Sequence, residues 1–195
     1  MSHHIYHTEA LIIGSLQSGE GDRLIYCYTR DHGLVLAHAR SIRESRSRLR
    51  YALQTFSHAY IDLIRGKYGW KLISATPITS QRALWGSERK RRIIAGHMQL
   101  ARRLIQGEEV HTTLFDDLLR GYEFIKSLEG EDTLRDAELL LAVRLLSLLG
   151  YWGEDLLLTP VLSRTDYDAK DLAELRPLRS TIIAKVNAAL HSSQL

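Results

Sequence analysis

Residues 23–40 have the sequence RLIYCYTRDHGLVLAHAR, and this stretch decides the fold of the first part of the chain. Aromatic, leucine and β-branched residues dominate both sides of the central Asp31-His32-Gly33. Such runs are typical of β-strands, and a glycine between them allows the chain to reverse. The stretch therefore predicts two antiparallel strands joined by a tight turn.

Three further segments of the same kind lie on either side of this pair. They cover residues 8–16, 55–64 and 68–75, and Arg65-Gly66-Lys67 forms a short turn between the last two. The first 80 residues thus hold about five short strands with no helical connection between them. This spacing favours a small β-barrel or a β-sandwich, and a barrel also removes exposed strand edges.

A helical pattern begins after Thr76-Pro77, where apolar residues recur every three or four positions. Asp132 is a candidate N-cap for one of these helices, and Gly150 marks its end. The predicted helices cover residues 80–105, 114–128, 132–149 and 177–190, and the polar residues 159–170 predict a loop. We therefore expect an α+β protein with a β domain over residues 1–79 and an α-helical domain over residues 80–195.

The composition is that of an ordinary globular protein, with 45% hydrophobic and 25% charged residues in a chain of 195. The single cysteine, Cys27, excludes an internal disulfide and a zinc site built from cysteines. No apolar run reaches the roughly 18 residues of a membrane span, and the first nine residues lack the features of a signal peptide. We expect a cytoplasmic protein with no membrane partner.

The formal net charge of +3 conceals a strong division along the chain. Residues 1–106 carry a formal charge of +10, and residues 107–195 carry −7. A basic half of this size points to a polyanionic partner, most commonly nucleic acid or an anionic membrane surface.

The densest basic cluster is RSIRESRSRLR at residues 40–50, in which five arginines oppose only Glu44. Guanidinium groups are planar, permanently charged and shaped to bind phosphate. The alternative is a solvated connector that keeps the protein soluble, but such surfaces normally mix both signs of charge. We predict that the arginines of this cluster contact the phosphates of a nucleic acid, namely Arg40, Arg43, Arg46, Arg48 and Arg50.

A second basic cluster, Arg89-Lys90-Arg91-Arg92, lies on the first predicted helix. Four consecutive residues point around a helix, so they cannot all contact one ligand. We predict that Lys67 and this cluster extend the phosphate-binding surface of residues 40–50. A helix face that only increases solubility is an equally good interpretation of the second cluster.

No group of residues in the sequence has the pattern of a catalytic or metal site. The carboxylate pairs Glu108-Glu109 and Asp116-Asp117 are interpreted as solvated charges at helix ends, and Cys27 as a buried apolar residue. We therefore expect a protein that is not an enzyme and that uses no metal, no cofactor and no small-molecule substrate.

The stretch from Ala10 to Ile78 resembles the N-terminal domain of the RecO family of bacterial DNA repair proteins. The chain departs from the family pattern at Ser41, where the family usually has glycine, and at Thr55, where it usually has proline. It also lacks the four cysteines that bind zinc in many members. The resemblance is carried by ALII at 10–13, GE at 19–20, DRL at 22–24, TRDHGL at 29–34, AHAR at 37–40, RSRL at 46–49, LQTF at 53–56, the strand at 72–75 and LLSLLGY at 145–151.

This resemblance implies an OB-fold β-barrel followed by an α-helical domain. It further implies DNA repair and recombination functions: binding of single- and double-stranded DNA, annealing of complementary strands, association with RecR and with the single-stranded DNA-binding protein, and help in loading RecA. The alternative is an OB-fold interaction module that binds RNA or protein outside repair.

Overall fold

The computed structural model describes residues 4–42, 49–79, 86–153 and 155–192. Its strands are β1 (Ile5–Ser18), β2 (Asp22–Thr29), β3 (Gly33–Ala39), β4 (His58–Gly66) and β5 (Gly69–Pro77). The helices are α1 (Leu49–Ala52), α2 (Glu88–Leu104), α3 (Thr112–Ser127), α4 (Glu131–Leu148), α5 (Thr159–Leu162), α6 (Ala169–Leu175) and α7 (Arg179–Ser192). A 3-10 turn, Arg176–Leu178, joins α6 to α7. None of the described helices is both long enough and apolar enough to span a membrane.

The five strands form a closed barrel in the order β1-β2-β3-β5-β4. Neighbouring strands are antiparallel except β3 and β5, which are parallel and pair at Ala37–Trp70 and His38–Lys71. This short parallel contact closes the sheet into the five-stranded barrel of an OB-fold. The predicted fold class, an OB-fold barrel followed by helices, is confirmed.

The barrel core consists of the side chains that alternate inward along each strand. On β3, Val35, Ala37 and Ala39 are fully buried, whereas the residues between them are more exposed. Cys27 on β2 is also fully buried, and burial raises the pKa of its thiol to about 12. It therefore stays protonated at neutral pH, and the prediction that Cys27 is an apolar core residue is confirmed.

The segment Ile105–Thr112 groups with the barrel, although α2 lies between them in the sequence. The Leu34 backbone N–H donates a hydrogen bond of 3.0 Å to the Gly107 carbonyl oxygen. The Tyr28 hydroxyl donates one of 3.3 Å to the carbonyl oxygen of His111. We call this segment the barrel strap.

Glu108 is the main side-chain anchor of the barrel strap. Its carboxylate accepts hydrogen bonds from Trp70 Nε1 at 2.9 Å and from Arg65 at 2.8 Å. The Arg65 guanidinium also lies 5.0 Å from the centre of the Trp70 ring. The prediction that Glu108 is only a solvated charge is therefore wrong, because two barrel strands supply partners for it.

The chain divides into two compact units. The barrel unit contains the residues up to Gly86 and the barrel strap, and the helical unit contains Ser87–Leu104 and the chain from Thr113 onward. The predicted domain boundary between residues 79 and 80 stays a prediction.

Within the helical unit, α4 packs against α2, α6 and α7. The structure corrects two details of the predicted helices. Asp132 lies in the first turn of α4, and Gly130 occupies the N-cap position. The predicted loop at 159–170 contains the one-turn helix α5 and the first residues of α6, which Asp168 caps.

The helical unit also contains buried ion pairs. Asp117 on α3 is only 2% exposed, and its carboxylate accepts a hydrogen bond of 2.8 Å from Arg144 Nε on α4 and one of 2.8 Å from the Tyr167 hydroxyl. Asp136, fully buried on α4, accepts hydrogen bonds from Arg176 and Arg179. The prediction that Asp117 is a solvated charge is therefore wrong.

Candidate nucleic-acid interface

The barrel brings two arginines together where β2 begins and β3 ends. Arg23 on β2 is paired in register with Ala39 on β3, so Arg40 follows directly beside it. Both side chains are exposed. Neither forms an ion pair with the described part of the chain, so their charges remain available to a ligand.

The turn that follows β3 is fixed by Asp22. Its carboxylate accepts a hydrogen bond of 2.9 Å from the Ser41 backbone N–H and lies 3.1 Å from Nε2 of His38. Ser41 has a φ of 49°, in the left-handed region that favours glycine. Ser41 thus adopts a backbone conformation that glycine adopts most readily, at a position where the resemblance to RecO leads one to expect glycine.

A third arginine is positioned by α1. The Leu53 N–H donates a hydrogen bond of 2.9 Å to the Leu49 carbonyl oxygen, which completes a helical turn. Arg50 lies one turn before Leu53 and Gln54 and faces the same cleft as they do. Its side chain is exposed and, like those of Arg23 and Arg40, has no ion-pair partner among the described residues.

The cleft formed here has a volume of about 440 Å³. Ile42 and Leu53 line it and belong to the buried barrel core. Part of the cleft surface is therefore formed by core residues. Arg23 and Arg50 supply positive charge at its walls. The described residues that line this arginine cleft are Arg23, Ile42, Arg50, Leu53 and Gln54.

The sequence prediction named Arg40 and Arg50 but missed Arg23. Three other predicted contacts, Arg43, Arg46 and Arg48, lie outside the described residues. Arg23 was overlooked because it stands alone in the sequence, and only the β2–β3 register places it beside residue 40. The pairing of a hairpin around Asp31-His32-Gly33 is the signal that could have identified it.

Lys67 lies in the turn between β4 and β5 and is exposed. Its ammonium group is 5.5 Å from the centre of the Tyr68 ring, a cation–π contact. The Tyr68 side chain is 91% exposed and Tyr60 is 55% exposed. By contrast Tyr28 and Trp70 are buried, so they cannot stack on a nucleic-acid base.

The second basic cluster lies on α2 in the helical unit, where carboxylates already engage it. Arg89 contacts Glu138 at 2.6 Å and Glu131 at 3.1 Å, both on α4. Arg92 forms a pair of 2.5 Å with Glu88 one turn earlier. Arg89 and Arg92 are therefore partly neutralised by their own unit.

The other two members of the second cluster are also engaged. Lys90 is buried, and its ammonium group donates hydrogen bonds of 2.9 Å to the Lys126 carbonyl oxygen and 2.8 Å to Glu129. Arg91 is half-buried and has an interaction partner. The structure thus distinguishes Arg40 and Arg50, which have no ion-pair partner in the described part of the chain, from the engaged residues 89–92 on α2.

Among the described residues, no three histidine, cysteine, aspartate or glutamate side chains come close enough together to hold a metal ion. At the arginine cleft, the side chains of Arg23, Arg50 and Gln54 offer positive charge and hydrogen-bond donors. A guanidinium offers five N–H donors in a fixed plane, which suits phosphate oxygens along a nucleic-acid backbone.

The barrel matches a known family. Residues 1–80 fit the sequence model of the family described as "Recombination protein O N terminal". The chain is 31% identical over 150 residues to a DNA repair protein RecO from Heliobacterium modesticaldum, an alignment that covers 77% of this chain and 53% of that protein. It is 36% identical over 81 residues to DNA repair protein RecO of two Desulfitobacterium hafniense strains, with 42% of this chain and 30% of each relative covered.

The chain thus spans about half of the length of the first of these relatives and less than a third of the others. The family match covers the same residues that form the closed barrel and carry the arginine cleft. Residues 1–80 thus match the N-terminal domain of the recombination protein O (RecO) family, and the relatives with which the chain aligns are themselves RecO proteins.

Proposed function

We propose that this chain is a DNA repair and recombination mediator that acts without covalent chemistry. It binds single- and double-stranded DNA, promotes the annealing of complementary strands, and assists RecA loading together with RecR. The names of its relatives support a role in DNA repair.

The observation that carries this proposal is the arginine cleft. Arg23 and Arg50 line it, and Arg40 follows Ala39, the β3 partner of Arg23. All three arginines are exposed, and none has a carboxylate partner among the described residues. Unpaired guanidinium groups gain most from a phosphate, because they give up no existing ion pair to bind it. Arg43, Arg46 and Arg48 belong to the same connector and are proposed to contact the same backbone.

Binding through phosphates accounts for both parts of the proposed activity. Contacts to the backbone carry no sequence information, so any strand is accepted. Two complementary strands held on a positive surface repel each other less, and their bases remain free to pair. Annealing then requires no bond to be made or broken by the protein.

We further propose that Lys67 and the second basic cluster extend the DNA-binding surface and contribute less to the affinity for DNA. Arg89 and Arg92 have to exchange a carboxylate for a phosphate, so the net gain is less than for Arg50. RecR and the single-stranded DNA-binding protein are proposed as protein partners.

A fluorescence-anisotropy titration with a labelled single-stranded oligonucleotide, at two salt concentrations, tests the proposal. We expect binding at low salt that weakens steeply at high salt, and a large loss of affinity when Arg43, Arg46 and Arg48 are replaced by alanine. The absence of binding at low salt, or equal affinity in the triple variant, would contradict it.

The same titration with competing RNA separates the proposed function from that of an RNA-binding module. For a DNA repair mediator, we expect that RNA displaces the labelled DNA no more readily than unlabelled DNA of equal length does. Strong preference for RNA, together with no retention of RecR in a pull-down, would contradict a role in repair.

A further inference from the structure

Asp22, the first residue of β2, places a carboxylate at the surface that we propose for DNA binding. It directly precedes Arg23, which lines the arginine cleft. Its carboxylate also bonds the backbone of Ser41, the residue that follows Arg40. A carboxylate in this position repels phosphate groups, so charge alone predicts that Asp22 weakens DNA binding. The contacts of Asp22 point to a different role.

The turn after β3 requires a backbone conformation that serine seldom adopts. Ser41 has a φ of 49°, and in this left-handed region the Cβ atom of any residue other than glycine crowds the backbone. Asp22 offsets this cost, because its carboxylate accepts a hydrogen bond of 2.9 Å from the Ser41 N–H. A charged acceptor makes such a bond stronger than a neutral one would. The carboxylate thus supports the turn that the residue type at position 41 disfavours.

Two further contacts fix the position of the Asp22 carboxylate. Its second oxygen lies 3.1 Å from Nε2 of His38 on β3. The turn before β2 also lies against the turn after β3, since a Cβ atom at Gly21 would be 3.9 Å from the Cα atom of Ser41. Asp22 therefore ties the start of β2 to the end of β3 through both of its carboxylate oxygens.

The two neighbours of Ser41 show what this turn positions. Arg40 is exposed, whereas Ile42 is only 4% exposed and packs in the barrel core. Because Ile42 is held by the core, a rotation of the backbone at Ser41 would displace Arg40. We propose that Asp22 is a positioning residue for DNA binding, which acts through Ser41 to hold Arg40 at the surface beside Arg23. This inference rests on the proposed function.

The first test compares affinities for a labelled single-stranded oligonucleotide at low salt by fluorescence anisotropy. Asp22→Ala should bind about three- to tenfold more weakly than the unsubstituted protein, although it carries one negative charge fewer. Glu109→Ala is the matched control, because it removes a mostly exposed carboxylate from the same unit, and it should bind equally or slightly more tightly. Equal or tighter binding by Asp22→Ala would overturn the proposal.

A second substitution, at residue 41, separates the positioning role from a general loss of structure. Glycine adopts the left-handed conformation readily, so the turn no longer needs the carboxylate when Ser41→Gly is combined with Asp22→Ala. This double variant should bind DNA at least as tightly as the unsubstituted protein. A double variant as weak as Asp22→Ala, or one that circular dichroism shows to be unfolded, would overturn the proposal, because Asp22 would then be needed for more than the turn.

The salt dependence shows whether Arg40 is the contact that Asp22→Ala loses. Each phosphate neutralised on a single strand contributes about 0.7 to the slope of log affinity against log salt. The slope of Asp22→Ala should therefore be shallower by about 0.7, and the double variant should regain the original slope. An unchanged slope in Asp22→Ala would show that Arg40 still reaches the DNA backbone, and would overturn the proposal.

The same titrations distinguish a failure of this inference from a failure of the proposed function. No binding by the unsubstituted protein at low salt would contradict both. Binding by the unsubstituted protein that Asp22→Ala matches in affinity would contradict only the role of Asp22 and would leave the proposed function in place.

Discussion

Gly33, which begins β3, lies directly against the backbone of Glu109 in the barrel strap. A Cβ atom at Gly33 would be 2.4 Å from the Glu109 carbonyl oxygen, and Gly33 has a φ of 62°. Glycine is therefore needed here for two reasons: the left-handed backbone and the closeness of a second chain segment. The tight turn that the sequence predicts at this position also serves as the place where the strap meets the barrel.

Gly33→Ala should therefore destabilise the barrel unit by at least about 2 kcal/mol, since it adds a clash with fixed backbone to the cost of the left-handed conformation. Urea unfolding followed by circular dichroism measures this loss. Gly19→Ala is the matched control, because Gly19 has a φ of 79° but nothing within 4 Å of the added Cβ. Equal losses of unfolding free energy in the two variants would show that contact with the barrel strap does not add to the cost at Gly33.

The buried pair of Asp117 and Arg144 gives a second prediction. Asp117→Ala leaves Arg144 buried without a carboxylate and should cost about 3–5 kcal/mol of unfolding free energy. The double variant Asp117→Leu with Arg144→Met should cost less than this single variant, because neither charge remains unpaired. Asp132→Ala, at an exposed carboxylate, is the control and should change stability by less than about 1 kcal/mol. A double variant less stable than Asp117→Ala would contradict this account.

His97 predicts how stability depends on pH. The imidazole is buried between α2 and α4, its Nε2 bonds the Leu141 carbonyl oxygen at 3.1 Å, and the ring of Tyr122 lies 5.8 Å away. Burial lowers the pKa of His97 from 6.5 to about 4, so the unfolded chain binds the proton more readily than the folded one. Stability is therefore fully present above pH 6.5 and falls as the pH drops towards 4.

Between pH 7 and pH 5 the loss from His97 should be about 2 kcal/mol. Urea unfolding at the two pH values measures it, and His97→Gln should remove most of the difference because glutamine does not titrate. An unchanged pH dependence in His97→Gln would show that other groups cause it.

The barrel strands were predictable because the local residue pattern indicates each strand, and because short turns join strands that follow each other in the sequence. The parallel contact of Ala37 with Trp70 was not, since residues more than 30 positions apart meet there only when the barrel closes. The burial of Asp117 was missed for the same reason. Two adjacent carboxylates near a helix start look solvated until Arg144, on another helix, is brought against one of them.

The candidate site was predictable only in part. A run of arginines identifies a basic connector, and Arg40 and Arg50 do lie exposed on the barrel. Charge counts alone also included Arg89 in the predicted contacts, although its partners Glu131 and Glu138 come from a helix some 40 residues away. Sequence shows where charge is abundant, whereas only the fold shows which charges are already compensated.

This distinction leads to a prediction for single substitutions. Arg50→Gln should weaken binding of single-stranded DNA about three- to tenfold, and Arg89→Gln should weaken it less, because Arg89 already has two carboxylate partners. Anisotropy titrations at low salt, with both proteins at equal concentration, compare them. A larger loss in Arg89→Gln would place the main contact on α2 instead of the barrel.

The salt dependence of DNA binding tests the central claim most directly. The logarithm of the affinity for single-stranded DNA falls with the logarithm of salt concentration by about 0.7 for each phosphate neutralised. The variant with Arg23, Arg40 and Arg50 all changed to glutamine should therefore show a slope shallower by about 2 than that of the unsubstituted protein. Arg135→Gln, on the exposed face of α4, should leave the slope unchanged. An equal slope in the triple variant and the unsubstituted protein would contradict the assignment of these three arginines as DNA contacts.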